Sequence, residues 1–195
     1  MDNIIPGEYG SNNKIIGEPS EQSRCTIKFY GENSIVTICE NVKCYNVHID
    51  IYSNSVLYIK NNCVIRGSIM VHDFCSVVLN KGVRCNGNLN IRTAEKTKVI
   101  IGDECLISSV TIRSSDMHPI FDINSNQRIN FGKDVIIGKH VWFCENTFVV
   151  KGVSIGDGSV VGAHAVVTKN IPSNVVVAGN PAIIRRTNIR WSHKL

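Results

Sequence analysis

Counting in sixes from Ile35 places Ile35, Asn41, Val47, Ser53, Ile59, Ile65, Val71, Val77, Val83, Leu89, Glu95, Ile101 and Ile107 in one register, and ten of these thirteen are aliphatic. The register resumes as Ile137, Phe143, Val149, Ile155, Val161 and Val167, all apolar. Sixteen of nineteen positions are therefore apolar, where a composition of 43% hydrophobic residues would place about eight. A second slot four residues on prefers small or apolar side chains, among them Cys39, Ile51, Leu57, Cys63, Cys75, Cys105, Val141, Thr147, Val153, Ser159 and Ala165. A period of six is neither that of a helix nor that of a simple alternating strand. It predicts short strands separated by turns that Gly and Asn can make, stacked as a parallel β-helix whose coils lie ~4.8 Å apart.

Three hexapeptides per coil of ~18 residues predict about four coils over 35–112 and about two over 132–170. Residues 114–131, opening "SSDMHPIFDINSNQRIN", do not repeat. Ile137 nevertheless follows Ile107 by thirty residues, a whole number of sixes, so the segment reads as a loop held out from an unbroken stack. The expected organisation is one domain: a cap and opening coil over 1–34, the β-helix over 35–170, and a C-terminal segment over 171–195 that leaves the repeat through "IPSN". The general preference for right-handed crossovers offers no physical route to a left-handed coil.

Composition narrows the class. At 195 residues the chain is long enough for one sizeable core. The net charge of +5 is spread without the aromatic interleaving of a nucleic-acid surface, so nucleic acid is not an expected partner. The start "MDNIIPGEYG" carries an acid where a signal peptide carries basic residues, and no apolar run reaches the ~18 residues of a membrane span. A cytoplasmic protein without membrane insertion is expected. Of the eight cysteines, Cys39, Cys63, Cys75 and Cys105 differ by multiples of six and no CxxC occurs, which suits reduced core residues better than a metal cluster.

The run "IIGKHVWFCENTFVVKGVSIGDGSVVGAHAVVTKNIPSNVVVAGNPAIIRR", residues 136–186, resembles the signature of the hexapeptide-repeat acyltransferases. The resemblance is specific over about 99–186 and rests on the repeat alone over 35–98. It implies a left-handed parallel β-helix, assembly as a homotrimer, and acetyl-CoA as co-substrate. "SDMHPIFD" with "RIN" and "HVW" is similar to the sugar O-acetyltransferases of bacterial surface polysaccharides, including those acting on sialic-acid capsules. The acceptor implied is thus a sugar hydroxyl.

An alcohol needs a base to attack a thioester, and a free imidazole, titrating at about 6.5, is mostly neutral and able to accept a proton near neutral pH. The resemblance places the catalytic base at His118. Asp116, two residues earlier, would point to the same side of an extended segment, where it could orient the imidazole or, equally well, cap a turn. Pro119 holds His118 toward extended geometry. Asp122 and Arg128 could bind the acceptor or pin the loop through a salt bridge. By resemblance Trp142 of "HVW" lies at the active site, where a backbone amide could serve the oxyanion; it could also be a hydrophobic plug at a subunit interface, and the two roles need not conflict. His140 and His164 are expected to face solvent at turns. Cys144, where Gly is common in the family, raises a covalent route through its thiolate.

The resemblance puts the donor along the C-terminal coils, with Gly162, Ala163, Thr168 and Lys169 along the pantetheine arm and Pro181 near the adenine. Ile183 stands where the family often has Lys, so Arg185 and Arg186 are the candidate phosphate contacts, or, with Arg190 and Lys194, a solvated basic tail. No metal is expected. The alternatives are N-acetylation of an amino sugar or nucleotide sugar, acetylation of a small free sugar or other small hydroxyl compound, a metal-dependent anhydrase built on the same helix, and a non-catalytic scaffold.

Overall fold

A computed structural model describes residues 10–194; the first nine residues of the expected cap lie outside them. The chain forms a left-handed parallel β-helix of about seven coils with three flat faces. On the first face, β1 (Lys14–Ile16), β3 (Ile35–Ile38), β5 (Val56–Ile59), β7 (Ser76–Leu79), β10 (Lys98–Ile101), β13 (Val135–Ile137) and β16 (Ser154–Ile155) pair in parallel in that order. The second face begins with the first halves of β2 (Glu21–Phe29), β4 (Lys43–Ile51) and β6 (Val64–Val71). It continues as β8 (Arg84–Cys85), β11 (Leu106–Ile107), β14 (Trp142–Phe143), β17 (Val160–Val161) and β19 (Val176–Ala178). The third takes the second halves of β2, β4 and β6, then β9 (Leu89–Thr93), β12 (Val110–Arg113), β15 (Thr147–Val149) and β18 (Val166–Val167). A last strand, β20 (Ile183–Arg186), folds back antiparallel onto β19. Among the described residues no helix is long and apolar enough to cross a membrane.

The inward positions build one continuous core. Apart from Ile35, every apolar residue of the six-residue register is buried. Cys25, Cys44, Cys63, Cys75, Cys85 and Cys105 fill the same interior as free thiols, and burial pushes Cys85 and Cys105 up to about 12. Corners are turned by residues in the left-handed region, such as Asn33 at φ 58°, Asn54 at 55° and Asn62 at 63°, where Asn tolerates what most side chains do not.

The coil length differs from expectation. Ile35 pairs with Val56, Val56 with Ser76 and Ser76 with Lys98, so the N-terminal coils contain 20–22 residues, whereas the steps from Ile136 to Ser154, Trp142 to Val160 and Phe148 to Val166 are eighteen. The extra residues lie on the third face. There β4 buries Val47, Ile49 and Ile51, whereas β15 buries only Thr147 and Val149. Parallel pairing begins at β1, within the segment given to the cap and opening coil, and continues past residue 170 to Val177.

Candidate functional site

The segment after β12 leaves the stack at Ser114 and returns at Lys133, whose amide donates to the Ser114 carbonyl at 2.9 Å. Within the loop, Phe121 and Arg128 form an antiparallel bridge, and Asp122 accepts from the Ser125 and Asn124 amides at 2.8 and 3.1 Å. Asp122 is therefore a turn cap, its pKa lowered first by the Ser125 amide. Arg128 does pin the loop, but to Glu95, at 2.7 Å. The Glu95 carboxylate also accepts from the Ser115 hydroxyl and from the Gly132 amide. Burial pulls the Glu95 pKa upward, yet the Ser115, Arg128 and Gly132 bonds outweigh it and the net shift is down.

Asn130 closes the loop. Its Oδ1 accepts from the Ile120 amide at 2.6 Å and from Arg128 Nε at 3.3 Å, while its Nδ2 donates to Asp116 Oδ2 at 2.9 Å and to the His118 carbonyl at 2.8 Å. Lys151, on the coil beneath, pairs with Asp116 and donates to the Asn130 carbonyl at 2.8 Å. The Lys151 bond, foremost, lowers the Asp116 pKa.

Of the two roles expected for Asp116, the geometry does not show the one that orients the imidazole: its carboxylate faces Lys151 and Asn130 instead of the His118 ring, and the charge-assisted bond from the ammonium makes Lys151 a strong partner. Asp116 holds the loop that presents His118. The His118 side chain is exposed, and among the described residues its ring has no hydrogen-bond partner. Glu95, Asn130 and Lys151 were not singled out by sequence reasoning. Glu95 carried the one available signal, as a charged break in the aliphatic register.

Trp142 lies on the second face, in a column with Leu106, Val160 and Val176. Its own amide is committed to the Ser159 carbonyl at 2.9 Å, so the Trp142 backbone N–H is not a free oxyanion donor. The unpartnered donor at this place is the buried indole Nε1. Trp142 lines a groove of about 470 Å³ together with Arg186, Arg190 and Trp191. Trp191 stacks on His140 with ring centroids 3.9 Å apart and donates from Nε1 to the His140 carbonyl at 2.9 Å. His140 is thus half-buried beneath the C-terminal tail and does not simply face solvent, while His164 is exposed at its turn.

Of the residues expected along the donor, Trp142 and Arg186 share this groove. Gly162 continues the second face beside Cys144, in register with Ala178, and Ala163 is exposed at the following corner. Thr168, Lys169, Pro181 and Arg185 are exposed outside the groove. Cys144 is half-buried, and burial, then Glu145, raises its pKa. Trp142 on the second face and the His118 loop, which leaves the end of the third, are not brought together within one chain.

Residues 134–169 match the family described as bacterial transferase hexapeptide (six repeats). The polysialic acid O-acetyltransferase of Neisseria meningitidis is 38% identical over 149 residues, which cover 74% of this chain and 69% of that protein. The polysialic acid O-acetyltransferase of Escherichia coli O1:K1 / APEC is 37% identical over 135 residues, 69% of this chain and 44% of that protein, so the chain spans less than half of that relative. The crystal structure of the polysialic acid O-acetyltransferase OatWY superposes with a TM-score of 0.93 at 37% identity, over 98% of this chain and 92% of that one.

Proposed function

We propose that this chain, which belongs to the bacterial hexapeptide-repeat transferase family, moves an acetyl group from acetyl-CoA to a sugar hydroxyl of a surface polysaccharide. The observation that carries this reading is the pinned loop: Asn130, Lys151 and Glu95 fix a backbone whose one exposed, unpartnered base is His118. Its imidazole takes the proton of the acceptor hydroxyl as the oxygen attacks the thioester carbonyl, and returns it to the departing CoA sulfur. Similarity to two enzymes named polysialic acid O-acetyltransferases makes a sialic-acid-containing capsule the acceptor of choice.

The donor fits the groove at Trp142. Its floor is apolar, an indole N–H there lacks a partner, and Arg186 and Arg190 supply cations for phosphates. Because His118 and Trp142 are apart within one chain, the complete site takes its base from one subunit and its donor groove from a neighbour, as in a cyclic trimer. Transfer is direct. Burial, then Glu145, raises the Cys144 pKa, which favours the thiol over the thiolate.

Labelled acetyl-CoA offered with polysialic acid and a panel of neutral sugars tests the reading. His118→Ala abolishes transfer while acetyl-CoA still binds, and Cys144→Ser transfers normally. Wild-type turnover by His118→Ala, or an acetyl group trapped on Cys144, would sink it.

A further inference from the structure

Arg92 of β9 and Arg113 of β12 are register partners on the third face, so two guanidinium groups stand on neighbouring strands about 4.8 Å apart at the backbone. Both are half-buried. Among the described residues neither forms a salt bridge; Arg92 Nε donates only to the Met70 sulfur, at 3.1 Å. Like charges side by side, partly out of water and without a salt-bridge partner, raise each other's energy, and an anion between them relieves it. Consistently, burial, then the Arg92 charge, lowers the Arg113 pKa.

The surroundings make this pair a site. The two arginines line both of two adjoining hollows, of about 330 and 340 Å³, which together form a trough along the third face. One end is walled by Asp116, Met117 and Lys151, so the trough begins next to His118. Phe148 and Val150 give that end an apolar side against which a sugar ring can lie. Of the carboxylates along it, Asp116 pairs with Lys151, while the Oδ1 of buried Asp50, in the hollow farther from the loop, lies 3.0 Å from His48 Nε2 but forms no hydrogen bond. Two guanidinium groups against that one remaining carboxylate leave the trough net positive.

We propose that Arg92 and Arg113 form a carboxylate-binding subsite that reads an acidic sugar unit adjacent to the one presenting its hydroxyl to His118. The inference rests on the acetyltransferase reading above and adds to it the residues that read the acid groups of the acceptor and so select an acidic polymer over a neutral one. A guanidinium fork matches a carboxylate bidentately, and two forks on one rigid sheet fix its position along the trough. A phosphate presents similar chemistry. The phosphates of the donor, however, have their own cations at Arg186 and Arg190 on the second face.

Binding of α2,8-linked sialic acid oligomers is measured by calorimetry against the same oligomers with their carboxyl groups reduced to alcohols. The wild-type chain binds the acidic form more tightly. Arg92→Gln and Arg113→Gln each weaken that form by ~10–100-fold, with affinity for the reduced form and for acetyl-CoA unchanged. Arg113→Lys, which keeps the charge and loses the fork, falls between and serves if Arg113→Gln does not fold. Equal wild-type binding of acidic and reduced oligomers overturns the proposal, as does unaltered acidic binding by both Gln variants. Loss of acetyl-CoA affinity with acceptor affinity intact overturns it by assigning the pair to donor phosphates. Absence of acetyl transfer to any acceptor defeats only the activity reading, since the binding comparison judges the arginine pair without turnover.

Discussion

Asn130→Ala removes the side chain that ties both limbs of the loop together. Four hydrogen bonds go at once, at 2.6, 2.8, 2.9 and 3.3 Å. Each is worth about 0.5–1.5 kcal/mol net, and the exposed Ile120 amide and His118 carbonyl can recover water, so the loop's docked state loses ~2–4 kcal/mol. At about 1.4 kcal/mol per factor of ten, the docked population shifts against the open one by ~30–1,000-fold. The ties from Lys151 to Asp116 and from Arg128 to Glu95 survive, which limits the fall in kcat/KM to ~100-fold. Because the loop lies outside the stack, the melting temperature moves little. Asn130→Asp sharpens the test. It keeps the acceptor for Ile120 but replaces two donor bonds with a second carboxylate beside Asp116, so it loses at least as much activity as Asn130→Ala. Steady-state kinetics with saturating acetyl-CoA, alongside thermal melts, decide. Full activity in Asn130→Asp, or a loss confined to acetyl-CoA affinity, would refute a positioning role.

Two further outcomes follow from the same geometry. Subunits carrying His118→Ala and subunits carrying Trp142→Ala, each inactive alone, regain activity when refolded together, because mixed assemblies contain sites with an intact His118 from one chain and an intact Trp142 from another; silence in the mixture would place both residues in one chain's site. Acidification releases the loop: the pKa values of Asp116 and Glu95 are lowered below their ordinary 3.8 and 4.5, so the stability they lend is present above those values and lost as pH falls through the lowered ones. Amide chemical shifts of residues 115–132 should therefore hold down to about pH 4 and change below it with the core shifts unmoved, and loop shifts constant to pH 2 would contradict the assignment.

The fold was legible because its dominant force is periodic. An inward aliphatic must recur at each corner-to-corner step, and that recurrence survives in Val71, Val77 and Val83 whatever surrounds them. The coil length was not legible. Coils of 20–22 residues keep two hexapeptides and lengthen only the third side, so the six-residue count drifts and lands on the corner residues Asn41, Ser53 and Glu95. Those three exceptions were the trace of the longer side, but a single sequence cannot distinguish a polar substitution from a shifted frame. Handedness came from resemblance, and the geometry of short strands gives no local rule for it.

At the site, residue type located the base but not the forces that hold it. His118 and Asp116 stand two apart in sequence, which invites a dyad, whereas the competitor for the carboxylate, Lys151, is thirty-five residues away and comes into reach only because one coil closes beneath the loop. The same holds for Glu95 and Arg128, and for Arg92 and Arg113, which are joined by strand register and not by any motif. In a solenoid, side chains one coil apart are neighbours at every level, so charge pairs and charge conflicts alike are written at the coil spacing. Where that spacing brings opposite charges together beneath a loop, the loop is fixed. Where it brings two arginines together and, among the described residues, gives neither a salt bridge, the trough favours an anion supplied from outside.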